Sequence, residues 1–265
     1  MDLHSIAHEM MTAQSEVRQI APFTSRLAVF DDEAAYHVSR LIHDRRVKEG
    51  FVPIGRKIGF TNPDMWELYG VREPIWAHIY DRTVVMSSGS PVRCPLGPFT
   101  EPEIIVHFRS TPLPTSDLNA ILECVDWFAH GMEIVQSHFP GWSFRAPDAI
   151  ADCALHGTLL VGEPQDVGML GDNLLRDQET FTVALSCDGV CRERGRGSNV
   201  LGSPLAAISH LLAVIAEQSY ARTIEAGEMV TTGTLTTALP VHAGQIWQTE
   251  VEGVALPGMT VAFER

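Results

Sequence analysis

Apolar positions recur at helical spacing early in the chain and at strand spacing later. Over residues 31–46, Ala35, Val38, Leu41 and Ile42 fall on one face of a 3.6-residue repeat behind an Asp-rich start suited to capping, which predicts a helix. Residues 1–50 as a whole read as helical. From Phe51 onward the pattern shortens into apolar runs divided by Gly and Pro, namely FVPIGRKIGF, HIYDRTVVM and EPEIIVHF. Ser116 or Asp117 can cap a helix carrying Leu118, Ile121, Leu122 and Val125, which leads into the apolar run HGMEIVQ. A strand over 155–161, a hairpin over 181–191 turning at Asp188-Gly189, and a helix opening at Ser203-Pro204 follow. The tail returns to strands in EMVTTGTL, QIWQTEVEG and MTVAFER. Helices interrupt the strands rather than alternate with them, so the pattern predicts a mixed α+β fold, not a doubly wound sheet. Residues 1–50 read as an N-terminal helical region and 51–265 as a β-rich body, together one structural unit.

Within this pattern three glutamates stand out. On an extended strand alternate side chains share a face, so Glu101 and Glu103 of TEPEIIVHF project together, roughly 6.5–7 Å apart, while Ile104, Val106 and Phe108 mark the opposite face for a core. Glu-x-Glu alone is the usual mark of a solvated sheet face. Two features argue otherwise: Pro102 cannot donate a ladder hydrogen bond, which suggests an irregular or edge position, and Glu133 lies among Met132, Ile134 and Val135. A carboxylate buried there is costly unless paired, protonated or bound to metal. An all-oxygen ligand set favours Mg²⁺ or Mn²⁺ over zinc. His107 shares the glutamates' parity but reads as a packed or surface histidine.

Lys57 sits between Gly55 and Gly59 in GRKIG, where a substrate can approach the backbone; it reads either as a proton-transfer group with a lowered pKa or as a strand lysine reaching for solvent. Asp81, in IYDRTV, is a candidate partner for Lys57 or a turn residue. TTGTLTT offers Thr232, Gly233 and Thr234, whose hydroxyls and N–H groups suit a carboxylate, although strand threonines also pack. GRGSNVLGSP lacks the ending of a P-loop and the spacing of a dinucleotide fingerprint and reads as a mobile loop before a helix. No Gly-x-Ser-x-Gly elbow occurs.

Composition narrows the field further. With 19 basic and 33 acidic residues among 265, the net charge of −14 argues against a nucleic-acid partner. The N-terminal sequence has neither a basic leader nor a long apolar stretch, and the expectation is a cytoplasmic protein without a membrane partner. Five scattered cysteines fit reduced thiols. Cys187 and Cys191 bracket the Asp188-Gly189 turn and can face each other across a hairpin, but no further zinc ligands lie nearby.

Taken together, GRKIGFTNP, EPIWAHIYDRTV, EPEIIVHF, GMEIVQS, GSNVLGSP and AGEMVTTGTLT resemble, in order, the 2-keto-4-pentenoate hydratase and 4-oxalocrotonate decarboxylase family of the fumarylacetoacetate hydrolase superfamily. The resemblance runs from about residue 30 to the C-terminus. It implies a mixed β-roll with an N-terminal helical region, a Mg²⁺ or Mn²⁺ held by Glu101, Glu103 and Glu133, an active-site lysine at Lys57, an aspartate placed approximately at Asp81, and a substrate-lining segment at Thr232, Gly233 and Thr234. The activity implied is hydration of a short 2-hydroxy-2,4-dienoate, with 2-oxo acid decarboxylation as the alternative and C–C hydrolysis of an acylpyruvate after it. A non-catalytic 2-oxo acid binding or assembly subunit is the reading outside enzymes. Family members are commonly homo-oligomers, and some work in complex with a partner enzyme. Where the family often reads Ala-Asp-Asn-Ala-Ser, this chain has Ala151-Asp152-Cys153-Ala154-Leu155, followed by His156.

Overall fold

The computed structural model describes residues 1–63, 66–71, 73–86, 92–93 and 96–264. Its helices are α1 (Leu3–Ser15), α2 (Phe23–Arg26), α3 (Asp32–Lys48), α4 (Trp66–Tyr69), α5 (Leu118–Leu122), α6 (Ala146–Ala151), α7 (Leu174–Thr180) and α8 (Pro204–Glu217). The N-terminal helices start where the chain supplies caps. Asp2 accepts from the His4 and Ser5 amides and Asp31 from the Ala34 amide, while α3 has Asp32 and Glu33 in its first turn and Arg45, Arg46 and Lys48 in its last, matching the helix dipole at both ends. Ser203 caps α8 in the same way, and Pro204 occupies its first turn.

The strands are β1 (Pro53–Gly59), β2 (Ile75–Tyr80), β3 (Val84–Met86), β4 (Val92–Arg93), β5 (Phe99–Phe108), β6 (Val125–Val135), β7 (His156–Val161), β8 (Gln165–Asp166), β9 (Thr182–Cys187), β10 (Val190–Arg196), β11 (Met229–Thr231), β12 (Leu239–Pro240), β13 (Ile246–Glu252) and β14 (Thr260–Glu264). They form two curled sheets. The larger runs β2-β1-β11-β5-β6-β7-β3, with β12 beside β5 and β8 beside β6; the smaller runs β10-β9-β13-β14-β4. Mixed parallel and antiparallel pairing, with helices gathered outside the sheets, is the α+β arrangement read from the pattern.

Apolar packing joins these parts. One continuous cluster runs from Ile6 and Met10 of α1 through Val38 and Ile42 of α3 to Leu256, and it takes in Ile104, Val106 and Phe108 from one face of β5. A second cluster sets Met132, Ile134 and Leu160 of the larger sheet against Leu185, Trp247 and Val261 of the smaller. The span Gly197–Glu217 is long and apolar enough to cross a bilayer by composition, yet Leu205, Ile208, Leu211 and Leu212 spend that apolarity in the core.

Four expectations are revised. β5 is an interior strand, paired with β6 on one side and with β11 and β12 on the other. Pro102 is tolerated because its N–H side faces the irregular segment between β11 and β12, where its carbonyl accepts from the Leu235 amide. Cys187 stands opposite Val190 and Cys191 opposite Ser186, so the two thiols do not face each other. The run HIYDRTVVM is broken by a 3-10 turn at Asp81–Thr83, and GRGSNVLGSP is a fixed connection tied down by Asn199 Nδ2 donating to Leu235 O and the Leu201 amide donating to Thr61 O.

Candidate active site

The sheet order brings three strands to one point. β5 and β6 pair antiparallel with Glu101 directly opposite Glu133, and Glu103, two residues along β5, stands opposite Gly131. β11 lies between β5 and β1 and sets Thr231 opposite both Ile105 and Lys57. Carboxylate oxygens of Glu101, Glu103 and Glu133 lie within 4.8 Å of one another, and Lys57 Nζ is 2.9 Å from Glu133 Oε2. Glu103 and Glu133 are wholly buried, Lys57 is 2% exposed, and Glu101 is partly exposed. The solvated-face reading of Glu-x-Glu therefore does not describe this strand.

Hydrogen bonding leaves particular oxygens free. Glu103 Oε2 accepts from the Gly233 amide at 2.8 Å, and Glu133 Oε1 accepts from His156 Nδ1 at 2.6 Å. Glu103 Oε1 is buried without a hydrogen-bond partner, and Glu133 Oε2 has the Lys57 ammonium beside it. An unpaired buried oxygen of Glu103 beside two further carboxylates fits a hard divalent cation, which would also offset the excess of three carboxylates over one ammonium.

The electrostatics follow from burial and crowding. Burial drives Glu101 up to about 7, with Lys57 pulling it down and Glu133 pushing it up. Glu103 is raised by burial and by the Glu133 and Glu101 charges. Burial acts on Glu133 in the same sense, but Lys57 and His156 overcome it and hold its carboxyl at about 2. For Lys57 burial favours the neutral amine, yet Glu133, Glu101 and Glu103 together hold its pKa above that of an ordinary lysine. A lowered pKa was one of the two readings of Lys57 from sequence, the other being a strand lysine reaching for solvent; three facing carboxylates raise the pKa instead, and the side chain is buried.

Lys57 and Glu101 open on a cavity of about 280 Å³. Gly233 and Thr234 line one side, with Thr61, Thr236 and Thr237; Phe99, Trp142, Phe144, Leu155 and Ile75 make an apolar wall. Gly233 has φ +93°, and a Cβ there would collide with Thr61, so both backbone conformation and space demand glycine. Ala154 and Leu155, also in the wall, belong to a left-handed turn in which Cys153, Ala154 and Leu155 have φ of 52°, 52° and 63°. The Asp152 carboxylate ahead of that turn is fixed by His138 and by Gln14 of α1. A cavity of about 450 Å³ between α3 and β2 holds Tyr36, His43, Trp76 and His78 but, among the described residues, no acidic cluster.

Two sequence candidates lie outside the site. Asp81 is exposed, its carboxylate accepts from the Val52 amide, and it stands beyond the end of β2, four residues from the Ala77 that faces Lys57. Thr232 is fully buried, with its amide and hydroxyl both donating to Ile104 O. His107 pairs with Asp126 and stacks on Trp127. Sequence reasoning named His156 without giving it a role; missed were Thr61 and Phe144, and also His130, whose Nδ1 donates to Glu103 O while Nε2 meets Thr249 Oγ1 in the smaller sheet.

This fold recurs in solved structures, including a fumarylacetoacetate hydrolase family protein of Yersinia pestis CO92 at 16% identity, with a TM-score of 0.56 over 81% of this chain and 94% of that one. The chain shares the fold of fumarylacetoacetate hydrolase-like proteins. No protein-family model matches the chain. In sequence it is similar to 2-keto-4-pentenoate hydratases and 4-oxalocrotonate decarboxylases. It is 25% identical over 261 residues to the 2-keto-4-pentenoate hydratase of Paraburkholderia xenovorans, covering 94% of this chain and 90% of the relative. It is 28% identical over 276 residues to a Pseudomonas 4-oxalocrotonate decarboxylase, covering the whole of both. The 4-oxalocrotonate decarboxylase of Pseudomonas putida G7, solved with magnesium and adipate, superposes with a TM-score of 0.90 at 25% identity, covering 98% of this chain and 97% of that one.

Proposed function

We propose that this protein is a divalent-metal-dependent lyase that adds water to a short 2-hydroxy-2,4-dienoate such as 2-hydroxypenta-2,4-dienoate. The observation that carries the reading is a buried lysine among three carboxylates, with Glu103 keeping an unpaired buried oxygen, beside a largely apolar cavity. Glu101, Glu103 and Glu133 would hold Mg²⁺ or Mn²⁺. When bound, such a cation supplies Lewis-acid chemistry, chelating the carboxylate and 2-oxygen of a 2-oxo acid and drawing charge onto that oxygen.

The chain's own groups divide the remaining work. Lys57, held as an ammonium, is the proton donor beside the cavity: it gives a proton to C5 and recovers the one leaving the 2-hydroxyl, turning the dienol into the conjugated 2-oxo-3-enoate, to which one water then adds its hydroxyl at C4 and its proton at C3. Thr234 and Thr236 offer polar contacts on one side of the cavity, while Phe99, Trp142 and Phe144 enclose the hydrocarbon end and limit entry of bulk water. Asp81, satisfied by Val52 and remote from Lys57, has no part in this scheme.

Decarboxylation of a 4-oxalocrotonate-like diacid is the second reading, favoured by the close superposition on that enzyme. Against it, Lys57 is the only cation among the described residues lining the cavity, and the far wall is apolar, which suits an alkyl terminus better than a second carboxylate. An ultraviolet assay with Mg²⁺ or Mn²⁺ on 2-hydroxypenta-2,4-dienoate and on 4-oxalocrotonate, repeated after chelation, decides: faster turnover of the dienoate that stops on chelation is expected, and turnover surviving complete metal removal would sink the reading. The working form we envisage is a cytoplasmic homo-oligomer, testable by light scattering.

A further inference from the structure

We infer that His156 is a positioning residue that aims Glu133 at the cation, an assignment that rests on the metal-binding reading above. His156 does not line the cavity and acts on nothing there directly. Its buried ring spans two polar partners: Nδ1–H donates to Glu133 Oε1 at 2.6 Å, and Nε2 meets the Thr83 hydroxyl at 2.8 Å. One oxygen of Glu133 is thereby fixed, and Oε2, which pairs with Lys57 Nζ at 2.9 Å, is left on the side of the other two carboxylates.

The backbone is shaped to deliver this contact. β6 and β7 pair with Glu133 opposite Leu159 and Ile134 opposite Thr158, which in a regular ladder would put Gly157 opposite Val135. The register instead shifts there, and His156 stands opposite Val135. Because side chains alternate, that one-residue bulge moves His156 from the far face of the sheet to the face of Glu133. Gly157 makes the bulge possible, since a Cβ at that position would run into Ile134 O. Immediately before it, three non-glycine residues in left-handed conformation bring the chain in, and such conformations persist where surrounding structure enforces them. A histidine that only filled space would require neither device.

The test is Mn²⁺ binding to the purified protein, followed by electron paramagnetic resonance, with thermal melting measured on the same samples. His156→Ala is expected to weaken Mn²⁺ affinity about 10- to 100-fold, the usual range for losing a group that orients a metal ligand. His156→Asn, which sets an amide N–H near the height of Nδ1 but cannot reach Thr83, should recover most of that affinity while melting no higher than the alanine variant. A purely structural role predicts that affinity follows melting temperature in both variants, and that result would overturn the assignment, as would wild-type affinity in a folded His156→Ala protein. Should the alanine variant not fold, Thr83→Val takes its place: it leaves the ring but removes its anchor, and a severalfold weaker Mn²⁺ affinity is expected, with unchanged affinity counting against the role. Wild-type protein that takes up no Mn²⁺ would remove the metal reading itself, an outcome distinct from failure of the His156 assignment alone.

Discussion

Glu101 and Glu133 stand directly opposite each other across the β5–β6 ladder, the one partly open to a cavity and the other wholly buried. Like charges in that position repel, and a facing pair of carboxylates is costly without a cation between or beside them. Lys57 meets part of that demand from β1.

The first prediction concerns the remainder. Glu103→Gln should cut Mg²⁺ or Mn²⁺ affinity by at least about 100-fold, because it replaces a ligand rather than a supporting group. The Gly233 N–H bond to this side chain survives the change if the amide oxygen turns toward it, so circular dichroism should stay native. Calorimetric titration checks the affinity, and a variant that binds as tightly as wild type would return Glu103 to a purely structural role.

A second outcome is set by pH. The Glu101 carboxyl is raised to about 7, so in the metal-free protein it binds a proton that the unfolded chain releases near pH 4.5. Between those values the folded state carries more protons, and stability from this group falls as pH rises toward 7; Glu133, held at about 2, acts oppositely and adds stability that is complete above about pH 4.5. A divalent cation displaces protons from Glu101 and from Glu103, whose carboxyl is raised as well, so metal affinity should climb with pH through about 7. The rise in melting temperature on adding Mn²⁺ should be larger at pH 8 than at pH 5.5; equal shifts would contradict this account.

Lys57→Met separates binding from chemistry. With the carboxylates intact the variant should still take up metal, while kcat falls by about 10²- to 10⁴-fold, the usual worth of a positioned proton-transfer group. Steady-state kinetics at saturating metal make the comparison, and a variant retaining most of its kcat would show that protons move by another route.

Trp142 tests the cavity wall. Its ring meets Phe99 edge-on at 4.4 Å between centroids, closing one side of the apolar space. Trp142→Ala should lower kcat/KM for the five-carbon dienoate by about 10-fold or more and improve the ratio for longer alkyl-substituted dienoates. No change in the ratio would mean that the hydrocarbon end lies elsewhere.

Much of this site's placement was readable from strand parity and apolar context. Alternation put Glu101 and Glu103 on one face, and the apolar run around Glu133 demanded a partner; in the fold these residues meet Lys57. What parity could not foresee was any place where the ladder breaks it. His156 is on the Glu133 side of the sheet only because of a bulge at Gly157, and Asp81 lies in a 3-10 turn, the plainer of its two sequence readings, where it accepts from the Val52 amide. Thr232 was misplaced for a related reason: the chain turns at Gly233, and only residues from that turn onward reach the cavity.

His130 carries a consequence for how the molecule comes apart. Thr249 Oγ1 accepts from the Met259 amide, which leaves its proton for His130 Nε2, and the ring then donates from Nδ1 to the carbonyl of Glu103. The peptide that carries Glu103 is thus tied through one neutral imidazole to β13 of the other sheet. Melting of the smaller sheet and release of bound cation should therefore occur as one cooperative event, so that spectroscopic probes in either sheet report a single transition.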